Sequence, residues 1–297
     1  MKGNHMAAIF FNDNTTQTSV SFDTTKKGAD VARELTQRGY QITVPAPVTR
    51  AILERYHAPA YVTAIETGKP RDLAESQNFA WDLHTWTSVT AQTGAMVAAV
   101  HAALRDGRAY ALASGFHHAS RARGGGFCTF NGVAIAAGEA LAAGVRKVVI
   151  LDFDAHGGGG THDIIAGWEH VIHYDLSTAP YEAYTPIAPH RRVHVQNATT
   201  YIPTVNALLA DLDAHVQPGD VVIYNAGMDS YEGCAIGGLS GITADVIRTR
   251  DALVDAWVRR HNLKIAACLA GGYQGDRYPY ELLIQLHRES VERICAD

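Results

Sequence analysis

Residues 148–161, VVILDFDAHGGGGT, decide the fold and point to the chemistry. The apolar run Val148–Leu151 predicts a buried strand over Val148–Phe153. Asp152, Asp154 and His156 then follow at alternate positions. Side chains of a strand alternate faces, so the three are expected to project to one side. Gly157 to Gly160 let backbone come close to whatever sits there. Oxygen and nitrogen donors at the end of a buried strand suit a divalent metal. The plainer reading is that the two aspartates cap a turn.

Similar β-rich runs lie at Ala109–Ala113, Val171–Tyr174, Val221–Tyr224 and Ile265–Leu269. Between most of them the spacing predicts helices: Thr87–Arg105 (Ala-rich and amphipathic), Asn131–Ala143 stopping at Gly144, Tyr201–Val216, Thr243–His261 and Tyr280–Ile294. Alternating strands and helices predict a three-layer open α/β fold with a mostly parallel central sheet. No repeat or Pro/Ser-rich linker divides the sequence, so residues 1–297 read as one domain. Residues 1–6, with Gly3-Asn4-His5-Met6, are set aside as a candidate artificial addition.

In such a sheet the site lies beyond the carboxyl ends of the strands. Ser114–His118, Asp152–His156, Asn225–Tyr231 and Ala270–Tyr273 all fall there, and unrelated core residues have no reason to collect at strand ends. His117-His118 is either a hydrogen-bonded core pair or a general base with an electrostatic partner. Asp229, in YNAGMDSYEGC, is either a turn cap or a third ligand; with Asp154 and His156 it would leave a metal one open position. Tyr273, after Gly271-Gly272, is either a turn tyrosine or a donor to a developing oxyanion. Gly126, Phe127, Tyr184 and Gly272 are candidates for lining a substrate channel. Cys128 has no His or Cys at motif spacing and reads as a small buried residue.

Composition bounds the alternatives. The chain has 297 residues, is 47% hydrophobic and 19% charged, and carries 25 Lys+Arg against 30 Asp+Glu, a net charge of −5. There is no basic block, which argues against a nucleic-acid surface. No apolar run is long enough to span a membrane. Four scattered cysteines, Cys128, Cys234, Cys268 and Cys295, read as reduced thiols of a cytoplasmic protein.

Four blocks in order, GFHHASRARGGGFCTFNGVAIA, LDFDAHGGGGT, VVIYNAGMDSYEGCAIGGLSGIT and LAGGYQ, resemble the zinc-dependent histone deacetylase family, most closely its class IV branch. The resemblance covers Ala46 to the C-terminus. It implies an arginase–deacetylase fold and zinc on Asp154, His156 and Asp229. His117 would accept the proton of the attacking water, oriented by Asp152, with His118 assisting and Tyr273 polarising the acyl carbonyl. It also implies potassium near Asp152, Asp154 and His156, with Asp175 and Leu176. The expected reaction is removal of an acyl group from an amine, an ε-N-acyl-lysine of a peptide or protein first and a small acylated amine such as an acylpolyamine second.

Two departures stand out. Relatives place Asp or Asn in a DxHxGD or DxHxGN pattern where this chain has Gly159, so His118 is expected to lack its orienting partner. Where relatives show EGDP, this chain has Glu232-Gly233-Cys234-Ala235. A binuclear manganese ureohydrolase of the same fold would place aspartates where Gly158 and Tyr231 stand, so one metal is expected. An inactive acyl-lysine-binding module should have lost a ligand or the tyrosine, and all are present.

Overall fold

The structure, a computed structural model, describes residues 7–17 and 23–296; residues 1–6, set aside above, lie outside them. Its strands are β1 (Ala8–Phe10), β2 (Ile42–Thr43), β3 (Arg108–Ala111), β4 (Val148–Asp152), β5 (Val171–Ser177), β6 (Arg191–His194), β7 (Val221–Ala226) and β8 (Lys264–Leu269). They form one eight-stranded sheet in the order β2-β1-β3-β8-β7-β4-β5-β6. Every pairing is parallel, so the expectation of a mostly parallel sheet is met and exceeded.

The helices are α1 (Asp23–Gln37), α2 (Arg50–Tyr56), α3 (Pro59–Thr67), α4 (Arg71–Ala74), α5 (Thr85–Asp106), α6 (Gly132–Ala142), α7 (Gly159–Ile165), α8 (Tyr201–Leu212), α9 (Ala244–Arg260) and α10 (Tyr280–Cys295). Alternation along the strands divides the core between two faces. Val148 and Ile150 of β4 pack with α2, α3, α5 and α6. Val149 and Leu151 pack with α1, α8, α9 and α10. Burying each such aliphatic side chain is worth about 1.5–3 kcal/mol.

Helix α5 corrects one expectation. It is buried on nearly every side rather than amphipathic, which its alanines permit. A Cβ at Gly94 would stand 2.2 Å from the carbonyl oxygen of Ala46, so glycine there lets the 46–48 segment cross the helix. The helix expected to reach Val216 stops at Leu212. Asp213, just beyond, accepts a bond from the Trp257 indole at 2.8 Å. Strands β1 and β2 are too short to carry a period, and β6, RRVH, is charged and at least partly exposed throughout, so none of the three is marked in the sequence.

Register places the site. Asp152 lies opposite both Asp175 and Asn225, and Asn225 lies opposite Cys268. The carboxyl ends of β4, β7 and β8 therefore open side by side.

Candidate active site

Strand β4 ends at Asp152, so strand alternation does not carry Asp154 and His156 to one side. Hydrogen bonds of the following turn do. Ala155 N–H donates to Asp229 Oδ1 at 2.9 Å, His156 N–H to Asp154 Oδ1 at 3.0 Å, and Gly271 N–H to Asp154 Oδ2 at 2.6 Å. A Cβ at Gly271 would fall 1.9 Å from Asp229 Oδ2, so glycine leaves the space in which the two carboxylates meet. Beneath them the fully buried Arg250 of α9 donates to the carbonyls of Gly227 (2.5 Å) and Phe153 (3.3 Å), tying together the two loops that carry Asp154 and Asp229. Lys27 of α1 likewise bonds the Ala270 carbonyl.

Asp154, His156 and Asp229 are buried, and one donor atom of each lies within 4.8 Å of the others. His156 Nδ1 is 3.1 Å from Asp154 Oδ1 and 3.0 Å from Asp229 Oδ2. Burial works against charge on His156, yet these carboxylates push its pKa up to about 11. Burial also raises both carboxyls; His117 and His156 overcome this at Asp154, whereas Asp229, facing Asp154, stays raised. Two buried carboxylates within reach of one imidazole nitrogen form an N/O donor set that could hold a divalent cation.

The histidine pair lies beside this triad, with ring centroids 3.9 Å apart. His117 Nδ1 is 3.0 Å from Asp152 Oδ2, and its Nε2 is 3.6 Å from Asp154 Oδ1. Asp152 Oδ1 is held by Asn225 Nδ2 at 2.8 Å. Burial opposes a charge on His117, but Asp152 and Asp154 outweigh it and push its pKa up to about 10. A divalent cation in the triad would offset that negative field and free the imidazole to accept a proton.

His118 does not lack a partner, contrary to the sequence expectation. Its Nδ1 pairs with Glu182 Oε2, from the loop between β5 and β6. Burial and the neighbouring His117 lower the His118 pKa, and Glu182 works against them. Sequence reasoning missed Glu182 because no motif spacing links it to His118.

A cavity of about 330 Å³ leads to the site, lined by His118 and His156 at its floor with Phe127, Tyr181, Ile236 and Tyr273 among its walls. Gly126 and Phe127 line the cavity. Both have positive φ, 47° and 66°, and a Cβ at Gly126 would meet the His118 ring at 2.3 Å. Phe127 stacks on Phe79, centroids 5.2 Å apart. Tyr184 is not in the wall. It stacks on His162 and donates to Asp175 Oδ2 at 2.9 Å, and Tyr181, three residues earlier, lines the cavity instead. Gly272 is not in the wall either; at φ 145° it packs near Leu283 and His287. Burial holds the Tyr273 phenol well above its usual pKa, so it stays a proton donor. Burial likewise keeps Cys128 a thiol.

Asp175 and Leu176 end up buried in β5. Asp175 Oδ2 accepts from Gly158 N–H at 2.7 Å, while its Oδ1 has no hydrogen-bond partner among the described residues. Burial and the nearby Asp152 push this carboxyl up to about 6. An orphaned buried carboxylate oxygen fits a neighbouring cation.

The sequence pattern of the histone deacetylase domain matches residues 19–284. Histone deacetylase 2 of Arabidopsis thaliana is 32% identical over 190 residues, 61% of this chain and 48% of that protein. An acetylpolyamine amidohydrolase of Mycoplana ramosa is 31% identical over 160 residues, 53% of this chain and 42% of that protein. The matched stretches thus span about half the length of these relatives. The crystal structure of an acetylpolyamine aminohydrolase from Burkholderia pseudomallei superposes with a TM-score of 0.80 at 20% identity, covering 98% of this chain and 99% of that one. The fold is therefore that of the arginase–deacetylase proteins.

Proposed function

We propose, on the ground that the chain belongs to the histone deacetylase family, that it is a zinc-dependent amidohydrolase acting on an ε-N-acyl-lysine of a peptide or protein. The observation that carries the reading is one cavity whose lining includes His118, His156 and Tyr273, where His156 belongs to the buried triad with Asp154 and Asp229 and His118 lies against His117. Asp154, His156 and Asp229 would hold the zinc. When bound there, zinc supplies Lewis-acid polarisation of the acyl carbonyl and a water whose pKa falls to about 7.

The chain's own residues do the rest. His117, tied to Asp152, takes a proton from the attacking water. Tyr273 donates a hydrogen bond to the carbonyl oxygen as negative charge develops on it. The histidine pair returns a proton to the departing amine. Potassium is assigned to Asp152, Asp154, His156, Asp175 and Leu176, and the orphaned Asp175 oxygen supports it.

The same reading makes residues 1–297 one catalytic domain of the class IV type. It works in the cytoplasm, which four buried free cysteines support. No helix among the described residues is long and apolar enough to cross a membrane.

An acylpolyamine is the second reading, favoured by the Mycoplana relative. Walls of Phe127, Tyr181 and Ile236 suit the uncharged methylenes of a lysine stem, and among the described residues no carboxylate lines this cavity to receive a polyamine's further ammonium group. An acetyl-lysine peptide should therefore show a kcat/KM about tenfold or more above that of an N-acetyl diamine. Faster hydrolysis of the diamine would replace the first reading by the second.

A further inference from the structure

We infer that Glu182 is the positioning residue of His118, standing in for the side chain that position 159 lacks. The inference deepens the reading above and rests on it, since it takes the histidine pair to be catalytic.

The glycine run carries the argument. A Cβ at Gly157 would fall 2.5 Å from the Glu182 carbonyl oxygen. One at Gly159 would fall 3.0 and 3.1 Å from Glu182 Cγ and Cδ. One at Gly160 would fall 2.3 Å from the His118 backbone. Gly157 and Gly159 thus leave the space in which Glu182 lies, and Gly160 lets the backbone close on His118. Glu182 itself sits at φ 55°, a left-handed conformation that a residue with a side chain adopts only when its surroundings impose it.

The result is a carboxylate on His118 Nδ1. A carboxylate only accepts, so that bond makes Nδ1 the donor and leaves Nε2 as the ring nitrogen for proton transfer. A carboxylate at position 159 would grow from a Cβ one bond short of the volume that the Glu182 carboxyl now fills. The two positions are therefore alternatives: one carboxylate serves His118, and two would crowd and repel each other.

This exclusivity gives a test that a purely structural role would not pass. In the full chain, Glu182→Gln and Glu182→Ala should lower kcat about 10- to 100-fold with KM and metal content nearly unchanged. Gly159→Asp alone should also lower kcat. Added to Glu182→Ala, the same substitution should restore kcat to within about fivefold of the parent protein, reversing its sign. A readout independent of turnover is the downfield proton resonance of His118 Nδ1–H in metal-free protein, assigned by its loss in His118→Gln. It should vanish in Glu182→Ala and return in Glu182→Ala/Gly159→Asp. Full kcat in the isosteric Glu182→Gln together with full kcat in Glu182→Ala overturns the inference, as does a folded double variant that restores neither rate nor resonance. If the parent protein cleaves no acyl-amine while the resonance still follows Glu182, the catalytic reading fails and the pairing stands.

Discussion

Tyr273→Phe should lower kcat about 100-fold or more and leave the metal bound. The substitution removes one oxygen from a side chain that is already 8% exposed, so packing changes little. Gly271-Gly272 bring the residue off the end of β8 to the wall shared with His118 and His156. Its phenol stays protonated because burial and the nearby Asp229 and Asp154 disfavour a phenolate. A donor fixed before the reaction contributes most when charge appears on the carbonyl oxygen, and removing one such donor typically costs about 3 kcal/mol in the transition state. The loss should fall on kcat rather than KM, because the ground-state carbonyl gains little from the same bond. Steady-state kinetics with metal analysis of the variant check this. Retention of more than about a third of kcat would remove Tyr273 from the mechanism.

His117→Ala should cost about 1,000-fold in kcat, the scale of a lost general base. Asp152→Asn is the finer probe of the same unit. It keeps the side chain's size and an oxygen for Asn225, but removes the charge that faces His117 Nδ1. The negative field of Asp152 raises the His117 pKa, so the substitution lowers it. A base must be unprotonated to act, and the acid limb of the kcat/KM profile reports its pKa in the free enzyme. That limb should therefore move to lower pH, while the rate on the plateau falls about 10- to 100-fold as the imidazole loses its orientation. An acid limb that stays in place, or moves to higher pH, would show that another group is the base.

The parts of the site legible in the sequence are those that local chemistry dictates. Apolar runs ending in Asp152, Asn225 and Leu269 mark strand ends, and the parallel sheet brings those ends together. What was not legible depends on loop conformation. Asp154 and His156 converge through a turn and the glycine at 271, not through strand alternation. Tyr184 and Tyr181 are three residues apart in a loop without a period, and only its path decides which faces the cavity. Glu182 lies 64 residues from His118, so the missing carboxylate at 159 was visible while its replacement was not. The one clue was the run of four glycines, whose length exceeds what a tight turn needs.

The central claim is that the triad holds one catalytic divalent ion. Titrating metal-free protein with zinc while following hydrolysis of an acetyl-lysine peptide tests it most directly. The account predicts that activity rises to a plateau at one zinc per chain, and that Asp229→Asn neither binds zinc stoichiometrically nor turns over. Activity that persists in metal-free protein, or that requires two equivalents of manganese, would contradict it.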